Sequence, residues 1–63
     1  MNYKSIQQAN IDDAIRHMRE AKATNDVDIF NESKEELRMT LEVIKDTDHV
    51  TYEKYSGVLD EKM

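Results

Sequence analysis

The chain contains no proline, and Gly57 is its only glycine. Proline and glycine are the residues that most often end or bend regular secondary structure, so tight turns and short strands have little support here. Residues that favour helices are plentiful, and no run of β-branched residues alternates with the period of two expected of a half-buried strand. The sequence therefore predicts an all-α protein whose helices are joined by polar connections.

The length of the chain limits how much core it can build. Folding of a chain of 63 residues buries only about 60% of the surface of the unfolded chain. Domains of this size are usually supported by disulfides, a metal ion or oligomerisation. The chain has no cysteine, which excludes disulfides and thiolate metal sites. We therefore expect one helical domain over residues 1–63 that associates with a second copy.

The first predicted helix spans about residues 5–23. It can begin at Ser5, which opens a capping box, or at Asn10, which is followed by two aspartates that favour the positive end of a helix dipole. The apolar side chains recur at helical spacing and define one buried side. That side consists of Ile11, Ala14, Ile15, Met18 and Ala21.

The second predicted helix spans about residues 27–45. The polar segment 24–26 reads as a turn before it, and Asp26 is a suitable N-cap. Ser33 also opens a capping box, so a helix that starts at Ser33 after a separate turn over residues 27–32 is the alternative. One continuous helix is favoured because its apolar residues keep a single phase across this region. These residues are Val27, Phe30, Leu37, Leu41 and Ile44.

A weaker apolar side runs along the same helix and consists of Ile29, Met39 and Val43. A helix with two apolar sides can contact two neighbours at once. If the first helix covers one side, the other side is the natural place for a second copy or a target protein.

The third predicted helix spans about residues 50–61, with Asp48 or Thr51 as its cap. Gly57 lies inside it and costs about 1 kcal/mol relative to alanine. The helix must therefore be stabilised by docking its aromatic side chains onto the other helices. Its apolar stripe consists of Tyr52, Tyr55, Leu59 and Met63.

The net charge of −5 argues against general nucleic-acid binding and against binding to anionic membranes. It allows an alternative function, in which acidic side chains imitate nucleic-acid phosphates and occupy a nucleic-acid-binding protein. A short basic strip formed by Arg16, Arg19 and Lys22 allows a second alternative, a small nucleic-acid-binding regulator. The acidic side chains in question are Asp12, Asp13, Glu32, Glu35, Glu36, Glu42, Asp46 and Asp48.

Candidate chemistry is sparse. Asp13 and His17 lie on the same side of the first helix, and Glu20 follows three residues later, but a metal site needs three or four ligands with supporting hydrogen bonds. His49 is the only other histidine. No nucleophile with an adjacent base and no glycine-rich phosphate loop is visible. We therefore predict no enzymatic activity, metal, cofactor or small-molecule substrate.

No apolar segment resembles a signal peptide or reaches the length of a membrane span, so we expect a cytoplasmic protein with no membrane partner. Small acidic helical proteins of this type are common in bacteria and their phages, and we expect such an origin.

Together these features predict an antiparallel helical hairpin with a short third helix, completed by homodimerisation into a helical bundle. The leading functional prediction is a non-enzymatic protein–protein interaction module that binds and regulates another protein, as an inhibitor or an adaptor. The residues predicted to contact the partner or the second copy are Ile29, Phe30, Leu37, Met39, Leu41, Val43, Ile44, Tyr52, Tyr55 and Leu59.

Overall fold

Three α-helices follow one another in the computed structural model of the protein, which describes residues 3–63. The first helix, α1, spans Tyr3–Thr24, and α2 spans Val27–Ile44. The third, α3, spans His49–Ser56 and continues into a 3₁₀ turn over Gly57–Asp60. The described residues contain no strand, and α1 and α2 pack against each other. The predictions of an all-α protein and of a helical hairpin are therefore confirmed.

The start of α1 differs from both alternatives drawn from the sequence. The helix is already formed at Tyr3, so neither Ser5 nor Asn10 is its first residue. Once a helix is nucleated, each further residue adds a backbone hydrogen bond for little additional cost. The docked middle of α1 therefore carries helical structure through Ser5 and Asn10, although both residue types also suit caps.

The turn between α1 and α2 is a Schellman motif. Asn25 has a positive φ of 60°, a left-handed conformation that asparagine tolerates better than most residues. Its backbone N–H donates to the carbonyl of Lys22 at 3.3 Å, and the N–H of Asp26 donates to the carbonyl of Ala21 at 2.8 Å. The motif satisfies two carbonyls at the end of α1 and reverses the chain within two residues.

Aspartates cap the next two helices, as the sequence predicts. The Asp26 side chain accepts a hydrogen bond of 3.1 Å from the backbone N–H of Ile29. Asp48 accepts bonds from the backbone N–H of Thr51 at 3.3 Å and from the Thr51 hydroxyl at 2.7 Å. With its cap at Asp26, α2 is one continuous helix and does not begin at Ser33.

The core lies between α1 and α2. Each helix contributes side chains that recur every three or four residues, so one side of each helix is buried against the other. Ser33 is buried among them, and its small side chain, like the two alanines of α1, allows the helix axes to approach closely. Val27 was predicted to share this side, but it is exposed because it lies at the first residue of α2. The core consists of Ile11, Ala14, Met18, Ala21, Phe30, Leu37, Leu41 and Ile44.

The third helix is shorter than the sequence predicts, because the backbone tightens into the 3₁₀ turn at Gly57. Glycine is a poor helix former, and the change falls at this residue. The α3 segment adds no fully buried residue, but Tyr52, Tyr55, Val58 and Leu59 pack against the core from one side. Met63, predicted to extend the stripe, lies beyond the 3₁₀ turn and is exposed.

Candidate protein-interaction surfaces

The predicted contact residues of α2 fall into two groups. Phe30, Leu37, Leu41 and Ile44 are buried in the core against α1 of the same chain. Their apolar surface is therefore already covered within one chain. Ile29, Met39 and Val43 point away from that core and are 43%, 59% and 56% exposed. The weaker apolar side of α2 is thus the one left open.

The open side of α2 forms a continuous surface. Glu32 and Glu36 fall between Ile29 and Met39 at the same helical spacing of three and four residues, and both are exposed. We call this set, with Val43, the α2 ridge. Neither glutamate side chain has an ion pair or hydrogen bond within the described part of the chain. The ridge is therefore an apolar stripe with two free carboxylates in its middle.

The aromatic residues of α3 are half-buried. Tyr52 stacks on His49, with ring centroids 6.1 Å apart, and the Lys45 ammonium lies 5.6 Å from its ring centroid. The Tyr55 hydroxyl accepts a hydrogen bond of 3.3 Å from Gln8, which joins α3 to α1. Leu59 packs beside them against the core. These residues cover part of the protein's own core, so only part of their own surface remains exposed.

A groove between α1 and the α3 segment is a feature that sequence reasoning missed. It is open, has a volume of about 690 Å³, and lies where α3 covers the hairpin incompletely. Ile15, Val58 and Ala23 supply its apolar lining, while Arg16, Arg19 and Lys54 supply cations. We call this surface the α1–α3 groove; Asp12, Glu20 and Tyr55 complete its lining. The basic strip predicted on α1 was its only signal in the sequence.

Two of the three cations in the groove have no carboxylate partner. Arg16 pairs with Asp13 at 3.0 Å, and both side chains are exposed. Arg19 has no ion pair among residues 5–63. Lys54 likewise has none there, and its ammonium lies 5.2 Å from the centroid of the Tyr55 ring. Asp12 and Glu20 also line the groove, so its charge is mixed but not dominated by acids.

Charge is divided unequally between the two long helices. Over its 18 residues, α2 carries five acidic and two basic side chains. Over its 22 residues, α1 carries three acidic and four basic side chains. The excess negative charge of the chain therefore comes from α2 and the connecting segments rather than from α1.

One ion pair on α2, between Glu35 and Arg38, shifts the pKa values of both side chains. Arg38 Nε donates to a carboxylate oxygen of Glu35 at 3.1 Å, and the guanidinium makes a second contact with the other oxygen. The hydrogen bonds from Arg38 lower the pKa of the Glu35 carboxyl, and the same contacts raise the pKa of Arg38. Both side chains are exposed, so the pair is a surface feature of α2 and lies beside the ridge.

The residues considered for metal binding are not assembled into a site. His17 is exposed, and Asp13 is engaged by Arg16. No group of three or more histidine, aspartate or glutamate side chains in metal-binding proximity occurs in the described region.

A second, more enclosed cavity of about 150 Å³ lies where the start of α1 meets the connection to α3, lined by Gln7, Ile44 and Thr51 among others.

The described helices define a small three-helix protein with an open apolar ridge on α2 and a cation-bearing groove between α1 and α3. None of the helices in residues 3–63 has the length and apolar character needed to cross a bilayer. Comparison of the chain with protein-family models, curated proteins and solved structures finds no match.

Proposed function

We propose that the protein is a non-enzymatic protein–protein interaction module that binds and regulates another protein through the α2 ridge. The observation that carries this proposal is the exposure of Ile29, Met39 and Val43 on a helix whose other side is already covered. Single exposed apolar side chains are common on protein surfaces. Here three of them share one side of one helix.

The spacing of these side chains suits recognition by a helix-binding surface. Ile29 and Val43 are 14 positions apart, so the ridge is about 21 Å long at 1.5 Å per residue. Helices that dock into grooves present anchors at intervals of three, four and seven residues along one side. The ridge keeps this spacing, with apolar anchors at Ile29, Met39 and Val43 and with carboxylates at Glu32 and Glu36 that can pair with cations of the partner.

Self-association belongs to the same proposal. The domain is small, and its core comes almost entirely from two helices. A second copy that covered exposed apolar surface would add to the limited burial of one chain. The predicted homodimer is one way to use the ridge, and binding to a target protein is another.

The two nucleic-acid hypotheses have less support. Large apolar side chains interrupt the acidic surface of α2, whereas an imitation of phosphates requires a more continuous array of charge. On α1, the basic strip is partly neutralised because Arg16 pairs with Asp13. A protein partner fits both surfaces better, because interfaces between proteins combine apolar anchors with a polar rim.

Two valine-to-serine substitutions, at positions 43 and 50, test the proposal. The Val43→Ser and Val50→Ser variants lose the same side-chain atoms, but Val43 lies on the ridge, whereas Val50 is 78% exposed at the start of α3. Each variant and the wild type are immobilised and exposed to an extract of the organism that encodes the protein, and bound proteins are quantified by mass spectrometry. We expect a defined partner set that Val43→Ser loses and Val50→Ser retains. Equal capture by both variants contradicts the proposed surface.

A further inference from the structure

We infer that the α1–α3 groove of one chain receives the α2 ridge of a second copy, so that the protein associates head to tail. This inference rests on the proposed function, since it uses the same ridge, and it adds the surface that receives it. A second copy is the inferred partner because the ridge and the groove of this chain have complementary chemistry. Each combines apolar side chains with charged ones: the ridge carries two carboxylates and no cation, whereas the groove carries three cations and two carboxylates.

The dimensions of the two surfaces agree. On α1 the groove extends from Asp12 to Ala23, or about 17 Å at 1.5 Å per residue. The ridge is about 21 Å long by the same measure. Glu32 and Glu36 are one helical turn apart, and Arg16 and Arg19 also lie within one turn of each other. A helix laid along the groove can therefore bring both carboxylates close to cations while its apolar residues cover Ile15 and Val58.

The free charges are the second argument. Glu32 and Glu36 have no ion pair within residues 5–63, and the same is true of Arg19 and Lys54. Within one molecule the glutamates lie on α2 and the cations on α1 and α3, and the described residues contain no ion pair between them. In a head-to-tail contact the carboxylates of one chain face the cations of the next. Opposite charges that meet across an interface fix its register and accelerate encounter.

A symmetric dimer built from two ridges is disfavoured by the same charges. In a parallel pair, Glu32 and Glu36 would each face their own counterpart. In an antiparallel pair centred on the ridge, Glu36 would face Glu36 while Ile29 faced Val43. Like charges directly opposed across an interface are repulsive, so the ridge is a poor partner for itself. The groove, in contrast, has more cations than carboxylates, since Arg16, Arg19 and Lys54 line it together with Asp12 and Glu20.

Head-to-tail contact has a definite consequence for assembly. Each chain keeps one free groove and one free ridge after the first contact, so assembly proceeds beyond the dimer to a closed ring or an open chain. A symmetric dimer uses the same surface on both subunits and stops at two copies. The size distribution at high concentration therefore reports the geometry of the contact.

The first experiment measures the mass of the wild-type protein by sedimentation equilibrium from about 10 μM to about 1 mM. We expect reversible association that continues past the dimer at the highest concentrations. Raising the salt concentration weakens it, because attractive ion pairs are screened. A monomer throughout this range overturns the inference, as does association that stops at the dimer or that strengthens with salt.

The second experiment exchanges charges across the proposed contact. Arg19→Glu and Glu36→Arg should each weaken self-association roughly tenfold, since each places like charges together. A mixture of the two variants should associate as well as the wild type, because each groove then meets a ridge of opposite charge. Both positions are exposed, and helicity measured by circular dichroism verifies that the variants are folded.

Lys62→Glu is the matched control for Arg19→Glu. It changes the net charge of the chain by the same amount at a position outside both surfaces, and we expect it to leave association unchanged.

Glu36→Gln distinguishes the head-to-tail contact from the ridge-to-ridge dimer. It weakens a head-to-tail contact but strengthens a ridge-to-ridge dimer by removing the repulsion. Strengthening by Glu36→Gln, indifference to Arg19→Glu, or absence of complementation in the mixture overturns the inference. The test of Val43→Ser against Val50→Ser remains a separate measure of the proposed function.

Discussion

Lys34 Nζ donates a hydrogen bond of 2.9 Å to the backbone carbonyl oxygen of Glu61, so the segment after the 3₁₀ turn is tied to the middle of α2. Both residues are half-buried, and they are 27 positions apart in the chain. The bond lies at the end of the segment that carries Val58, and it therefore helps to hold one wall of the α1–α3 groove in place.

Replacement of Lys34 by methionine should release this segment. The methionine keeps most of the apolar stem but cannot donate to the carbonyl of Glu61. We expect a loss of about 1 kcal/mol in the free energy of unfolding, the ordinary value of one intramolecular hydrogen bond. Faster amide exchange should appear at residues 58–61. Lys62→Met, at an exposed position, serves as control, and equal exchange rates in the two variants would contradict this role of Lys34.

Gly57→Ala should stabilise the protein. The residue has φ −63° and ψ −25°, which alanine adopts without strain, and no heavy atom lies within 4 Å of an added Cβ. Alanine restricts the unfolded chain more than glycine does, so we expect a gain of about 0.4–1 kcal/mol in urea unfolding. Asn25→Ala provides the contrast. Position 25 has a φ of 60°, so alanine there should destabilise the protein by about 1 kcal/mol. A gain in both variants would rule out the assigned turn.

Leu41→Ala tests the core. Leu41 is fully buried between α1 and α2, so truncation should cost about 2–5 kcal/mol, through lost burial and the cavity left behind. In a protein of this size such a loss should largely unfold the chain at room temperature. Met39→Ala is the matched control, because Met39 lies on the same helix but is exposed. We expect its thermal unfolding to match the wild type, and comparable losses at both positions would refute the assigned burial.

The Glu35–Arg38 pair gives a prediction about pH. Since Arg38 lowers the pKa of Glu35 in the folded chain, the pair stabilises the fold above the pKa of an unfolded glutamate. That contribution is lost as the pH falls through the lowered pKa. In a carboxyl NMR titration, Glu35 should therefore titrate at lower pH in the wild type than in Arg38→Gln. Identical titration curves would show that the pair does not persist in solution.

Much of the hairpin follows from the sequence because its periodicity is strong. The side chains at helical spacing between Ile11 and Ala21, and between Phe30 and Ile44, become buried, except for Ile15, which is half-buried and lines the groove. Asp26 and Asp48 also cap the helices that they precede, because aspartate accepts from free backbone N–H groups wherever a helix begins.

The α1–α3 groove could not be predicted in the same way. Its lining comes from residues more than thirty positions apart, such as Arg19 and Lys54. Their proximity depends on the angle at which α3 packs against the hairpin. Periodicity places a residue on a side of its own helix but does not give the angle between helices. The end of α3 at Ser56 depends similarly on a balance between local propensity at Gly57 and the docking of Val58 and Leu59.

The central position of α2 has a kinetic consequence. It packs against α1 before it and against α3 after it, and each neighbour is reached through a short connection. Helical proteins with such local topology fold in microseconds to milliseconds. We therefore expect this chain to fold on that timescale.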